Sequence, residues 1–167
     1  MKKIVLLIFA AGIITMSGCE TVKPVGEKTQ LELREFQTRT YDQSDMKVVM
    51  KAVMNALLDD GFIVQQANVD LGLLTAQKEV DVENSAESFF AKAFTERPEY
   101  KKNSITSASV TISEFGKQIQ VRINFTNKVM NNNGGVMRVT QINDEQYYQK
   151  IFSKVDKSIF FAKAKIQ

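Results

Sequence analysis

The chain has no histidine and no tryptophan, one cysteine and two prolines in 167 residues. Without histidine, the usual general base near neutral pH and the commonest metal ligand are both missing. A Ser-His-Asp or Cys-His nucleophile system therefore has no means of assembly. A single cysteine excludes an internal disulfide and a Cys-x-x-Cys redox pair. Asp70, Glu79, Asp81 and Glu83 do not form the Asp-x-Asp-x-Asp-Gly loop of a calcium site, and Gly134-Gly135 lacks the Lys-Ser/Thr of a phosphate loop. The expectation is a protein that is not an enzyme, with no catalytic residues, no metal and no cofactor.

What is present begins with that cysteine. Met1-Lys2-Lys3 gives a basic start, Ile4 to Ile14 is an almost unbroken apolar run, and Met16-Ser17-Gly18-Cys19 closes the segment. A membrane-spanning helix needs about 20 predominantly apolar residues, so this run reads as a cleaved signal. The segment resembles the bacterial lipoprotein lipobox. That resemblance implies cleavage after Gly18 and a diacylglyceryl thioether, then an acyl chain, on Cys19; a plain secretory signal cut near Gly18 is the alternative. Two or more chains anchor stably, at about 0.8 kcal/mol per buried methylene. Glu20 is not the aspartate that favours inner-membrane retention in enteric-type sorting. The expected location is the outer membrane, facing the periplasm.

Loss of residues 1–18 removes Lys2 and Lys3 and no acid, so 22 basic side chains fall to 20 against 19 acidic ones. This near-neutrality argues against nucleic acid as a partner and against a strong electrostatic grip of the whole chain on anionic surfaces. Residues 19–30, with Pro24 and Gly26, read as a lipidated tether, and residues 31–167 as a single domain.

Within that domain Leu31 to Tyr41 reads as a strand, through the β-favouring Phe36, Thr38, Thr40 and Tyr41. Asp42 or Ser44 is positioned to cap a helix striped by Met46, Val49, Met50, Val53 and Leu57, which ends at Gly61. Two strands follow, Phe62 to Ala67 and Leu73 to Val80. Residues 81–103 form an insertion, in which Asn84 and Glu87 match a capping box before Phe89, Phe90, Ala93 and Phe94. Strict alternation through Ala108–Ile112 and Ile119–Val129 predicts strands with one face buried and one wet. Asn133-Gly134 marks a hairpin before a strand over Val136–Ile142. Asp144 then caps a terminal helix lined by Tyr148, Ile151, Phe152, Val155 and Ile159.

This order predicts an α+β two-layer sandwich: an antiparallel sheet of about six strands, two amphipathic helices on one face, and a short helical insertion. The order resembles the helix-grip domains of the C-subunit lipoprotein of the outer-membrane barrel-assembly machinery, where a curved sheet wraps a long C-terminal helix. The segments Phe36-Gln37-Thr38-Arg39-Thr40-Tyr41-Asp42, Asp59-Asp60-Gly61-Phe62 and Leu71-Gly72-Leu73-Leu74-Thr75-Ala76 also look like a group of small bacterial lipoproteins of unknown function. Neither resemblance supplies a site motif.

Three places carry candidate function. Asp59 and Asp60 are adjacent carboxylates and read as solvated acids at a helix end. Gln120, Arg122, Asn124, Thr126 and Lys128 should project together beside Ser107, Ser109, Thr111 and Ser113, as a solubilising face or a surface for glycan or protein. Phe89, Phe90 and Phe94 either roof the core edge or form an apolar patch for a partner. The composite expectation is a lipid-anchored periplasmic domain that binds other envelope proteins, accessory to outer-membrane or secretion assemblies. A carrier of a small apolar ligand or lipid, using a groove between sheet and C-terminal helix, is the alternative.

The anchor has a direct test. Cells fed an alkyne-bearing palmitate should label the wild-type chain, and Cys19→Ser should abolish the label. Equal labelling of both would rule out Cys19 as the acylated residue.

Overall fold

A computed structural model describes residues 28–42, 45–96 and 98–164. Gly18, Cys19 and Ser44 lie outside the described residues. The elements run α1 (Gln30–Gln37), β1 (Thr38–Tyr41), α2 (Met46–Leu58), β2 (Ile63–Asn68), β3 (Leu73–Asp81), α3 (Ser85–Phe94), β4 (Lys101–Phe115), β5 (Gln118–Asn131), β6 (Val136–Gln141) and α4 (Glu145–Ala164). The architecture is α+β, with an open antiparallel sheet of six strands in the order β1-β5-β4-β3-β2. β1 pairs with Ile119–Arg122 of β5, and β6 pairs with the same strand over Thr126–Met130.

The core follows from the two periodicities. Along β4 and β5, Ala108, Val110, Ile112, Ile119, Val121, Ile123 and Phe125 are all buried, each on the side of the sheet that meets the helices. The stripe of α4 enters the same core: Tyr148, Ile151, Phe152, Val155 and Ile159 are buried. So are Val49, Met50, Ala52, Val53, Ala56 and Leu57 of α2, which packs beside α4.

The N-terminal part of the domain corrects the expectation of a strand over Leu31–Tyr41. Thr29 and Glu32 form a reciprocal capping box that starts a helix, and only Thr38–Tyr41 is extended. The β propensity of the last four residues had no hold on those before them, because Leu33, Phe36 and Gln37 share a helix face that packs inward. The cap of α2 also differs: the Asp45 carboxylate accepts from the Lys47 amide at 2.8 Å. Asp42 is instead hydrogen-bonded by the Gln118 side chain. The expected caps at Asn84 and Asp144 are present, accepting from Ala86 at 3.0 Å and Gln146 at 2.9 Å. Glu87 pairs with Lys101 at 3.8 Å.

Two close approaches lock the layers. The Gly72 carbonyl, in a residue at φ +62°, accepts from the Ile112 amide at 2.7 Å; a Cβ there would lie 1.9 Å from the Ile112 oxygen. Only glycine lets the β2–β3 turn sit this tightly on β4. At the other lock, β1 and β6 leave the middle of β5 unpaired on its outer edge. The Phe125 amide there donates to the Tyr148 hydroxyl at 3.1 Å, and the Gln37 side-chain amide donates to the same oxygen at 3.2 Å.

Tyr148→Phe keeps the ring and leaves both donors buried without that acceptor. The expected loss is about 2–4 kcal/mol of unfolding free energy, from two unsatisfied groups. Chemical denaturation measures it; a loss below about 0.5 kcal/mol would mean water or another group replaces the hydroxyl.

Candidate functional site

The insertion α3 turns its apolar side outward. Phe89, Phe90 and Phe94 are 66%, 59% and 81% exposed, whereas Ser88 is the buried member of the helix. They therefore do not roof the core. The three rings form one ridge: Phe90 lies edge-on to Phe89 at 5.8 Å and stacked with Phe94 at 6.2 Å.

Polar contacts hold the helix in place instead. Lys102 pairs with Glu83 just before α3, Lys92 lies 3.9 Å from the same carboxylate, and Lys92 also sits over the Tyr100 ring. The hydrogen bond from Lys102 holds the Glu83 carboxyl below its ordinary value, with lesser help from Ser88 and from the charges of Lys102 and Lys92. Beneath them Asn132 ties the loop down: its side chain accepts from the Tyr100 amide at 3.1 Å and donates to the Pro98 carbonyl at 3.0 Å.

The predicted polar face is assembled on the side of the sheet away from the helices. Register sets Thr126 opposite Ser107, Asn124 opposite Ser109, Arg122 opposite Thr111 and Gln120 opposite Ser113, with Lys128 opposite Ile105. β3 extends these rows with Thr75 and Gln77, and Gln141 of β6 donates to Asn124 at 3.1 Å. The result is a broad hydroxyl and amide surface.

Asp59 and Asp60 diverge, which corrects their reading as a pair of solvated acids. Asp59 is exposed, but the Asp60 side chain is only 6% exposed. Gly61, at φ +85°, turns the chain at the end of α2, with the Phe62 amide bonded to Leu57 and the Gly61 amide to Leu58. This turn sends Phe62 into the core and leaves Asp60 facing α4. There Lys154 approaches at 2.7 Å and Lys150 at 3.2 Å, with Lys78 of β3 at 3.8 Å. Burial pushes the Asp60 carboxyl up, but the hydrogen bonds and charges of Lys154 and Lys150 outweigh it and hold the group below its ordinary value. Burial, aided by the charges of Asp60 and Tyr148, pushes the neighbouring Tyr147 hydroxyl up to about 12. Lysines spaced by four on α4 occupy one helix face, but their meeting with Asp60, about 90 residues away, is set by the packing of α2 on α4.

A further ion pair fastens β1 to α4. Arg39 lies over the Phe152 ring at 4.8 Å and reaches Asp156 at 2.8 Å. Buried beside it, the Tyr41 hydroxyl has no hydrogen-bond partner of good geometry, and its pKa is raised chiefly by burial and by the charge of Asp156. Among the described residues no helix is long and apolar enough to cross a membrane. Compared with family models and with curated proteins, the chain matches none.

Because the folded Asp60 carboxyl is held below 3.8, its pairing stabilises the fold fully above that value and is lost as pH falls through the folded pKa. Asp60→Asn should cost about 1–3 kcal/mol at pH 7, the worth of charge-assisted hydrogen bonds. The gap between variant and wild type should shrink below pH 3.8. Denaturation across pH 2–7 checks this; a gap independent of pH would show that charge plays no part.

Proposed function

We propose that this chain is a lipid-anchored, non-enzymatic domain of the bacterial cell envelope that docks another envelope protein through the aromatic ridge of α3. The carrying observation is the exposure of Phe89, Phe90 and Phe94 on a helix whose inward contacts are made by small and polar residues. An amphipathic helix in water turns its large apolar side chains inward; this one keeps Ser88 inside and presents phenylalanine. Burying such a side chain against a partner is worth about 1.5–3 kcal/mol, and contiguous exposed aromatics mark contact surfaces. The ridge carries no excess of one charge, since Asp81, Glu83 and Glu87 are matched by Lys92, Lys101 and Lys102. Its complement is therefore an apolar groove on a protein.

The composition supports the non-enzymatic part, because a chain without histidine, and with its cysteine used for lipid, cannot assemble a Ser-His-Asp or Cys-His system. The carrier alternative needs room between the sheet and α4. Tyr148, Ile151, Phe152 and Val155 fill that interval at 0–1% exposure, and Tyr148 packs on Phe125 with ring centroids 5.3 Å apart. This filling favours docking over carriage. An outer-membrane site and a role beside membrane or secretion assemblies complete the proposal.

A photoreactive phenylalanine analogue at 89 or 94 in intact cells should crosslink one and the same protein. The same analogue at Phe115, which is 61% exposed elsewhere, should not. Phe90→Ser/Phe94→Ser should move the melting temperature by less than about 2 °C while removing the crosslink from position 89. A fall of several degrees, or a crosslink pattern shared with Phe115, would overturn the docking role.

A further inference from the structure

The helical layer has a second surface, on the side away from the sheet, where α2 and α4 run together. A groove of about 700 Å³ lies between them, with Val48, Lys51, Leu58, Asp59, Lys157 and Phe161 in its walls. Large apolar groups stand in its walls: Leu58 is 51% and Phe161 52% exposed. The unmatched charge here is chiefly positive. Asp60 is already matched by Lys150 and Lys154, and Asp156 by Arg39. That leaves Lys51 and Lys157 exposed in the walls, with no ion pair among the described residues, beside one acid of the lining, Asp59. Lys157 lies 5.9 Å from the centre of the Phe161 ring, so cation and aromatic group share one spot.

Unmatched lysines beside exposed leucine and phenylalanine on a helix surface are what an interface of anionic headgroups and acyl chains receives: ammonium groups meet phosphate, and apolar side chains enter the boundary below it. The chain between Cys19 and Lys28 spans at most ~32 Å, which keeps the domain beside lipid once Cys19 is acylated. We infer that the α2–α4 face rests on an anionic phospholipid surface, leaving α3 free for its protein partner. This inference relies on the anchored reading above. Charge separates the two surfaces, since the α3 ridge is neutral and aromatic whereas the α2–α4 face is basic and aromatic.

The test uses the lipidated full-length protein carrying Ala162→Cys, the sole free thiol once Cys19 is acylated, labelled with an environment-sensitive fluorophore. It is inserted into vesicles of neutral phosphatidylcholine, or of the same lipid with a third phosphatidylglycerol. Flotation with neutral vesicles reports the anchor alone, and its failure sinks the anchored reading without touching the face. Emission should shift to the blue only on the anionic vesicles, and high salt should reverse the shift. Each lysine at such a surface multiplies the bound population about fivefold. Lys51→Ala/Lys157→Ala should therefore lower the ratio of lipid-bound to lifted domain about 25-fold, with flotation unchanged. Equal emission on both vesicles, or indifference to the double substitution, overturns the inference. A shift that appears only on adding an acidic protein would assign the face to a protein instead.

Discussion

The Tyr148 hydroxyl is the point on which the layers of this domain agree. It lies on α4, accepts from the middle of β5 and from Gln37 at the end of α1, and its ring touches those of Phe36, Tyr147 and Phe125. An unpaired strand amide in a core would be costly. Here the gap between β1 and β6 is filled by a side chain from the facing layer, so the break in strand pairing becomes the fastening between sheet and helix. Ile142 completes it by donating to the Phe125 carbonyl at 2.9 Å. Sheet, terminal helix and N-terminal helix are thus positioned by one residue.

That fastening lies at the middle of β4 and β5, where Ala108 faces Phe125, and it marks a division along the strands. Ala108–Ile112 and Ile119–Phe125 are covered by helices, but the remainder of both strands continues beyond them. There the helix-facing positions change character: Asn127 donates to Ser104 at 2.7 Å and to Thr106 at 3.2 Å where valine and isoleucine stood before. At the far end α3 is tethered by the ion pairs of Glu83, Glu87, Lys92, Lys101 and Lys102. An apolar core holds one half and polar ties hold the other, which lets α3 present rings outward without disturbing the fold.

Period-two and 3.6-period patterns made most of this legible in advance. The alternation in β4 and β5 and the stripe of α4 named the buried residues correctly, because those elements are long and each position repeats the same choice of face. Short elements behaved otherwise. Leu31–Tyr41 holds β-favouring residues at one end and a capping box at the other, and four residues of strand biased the reading of eight residues of helix. Asp60 was misjudged because its burial depends on lysines that are distant in sequence, which no local pattern reveals. The ridge of α3 was found as a set of residues, but its direction was not. Apolar spacing says that three phenylalanines share a side and says nothing of whether that side meets core or water.

The length of the central hairpin carries a last consequence. β4 has 15 residues and β5 has 14, so at about 3.3–3.4 Å per residue the pair extends roughly 45–50 Å. A twisted antiparallel pair braced by β3 on one side resists bending far better than a linker of equal length. The sheet is thereby a ruler: whatever the helical layer touches at one end, the rings of α3 are offered at a fixed distance from it. Reach in this protein is set by strand length, and adding or removing a residue pair in β4 and β5 would reset it in steps of about 7 Å.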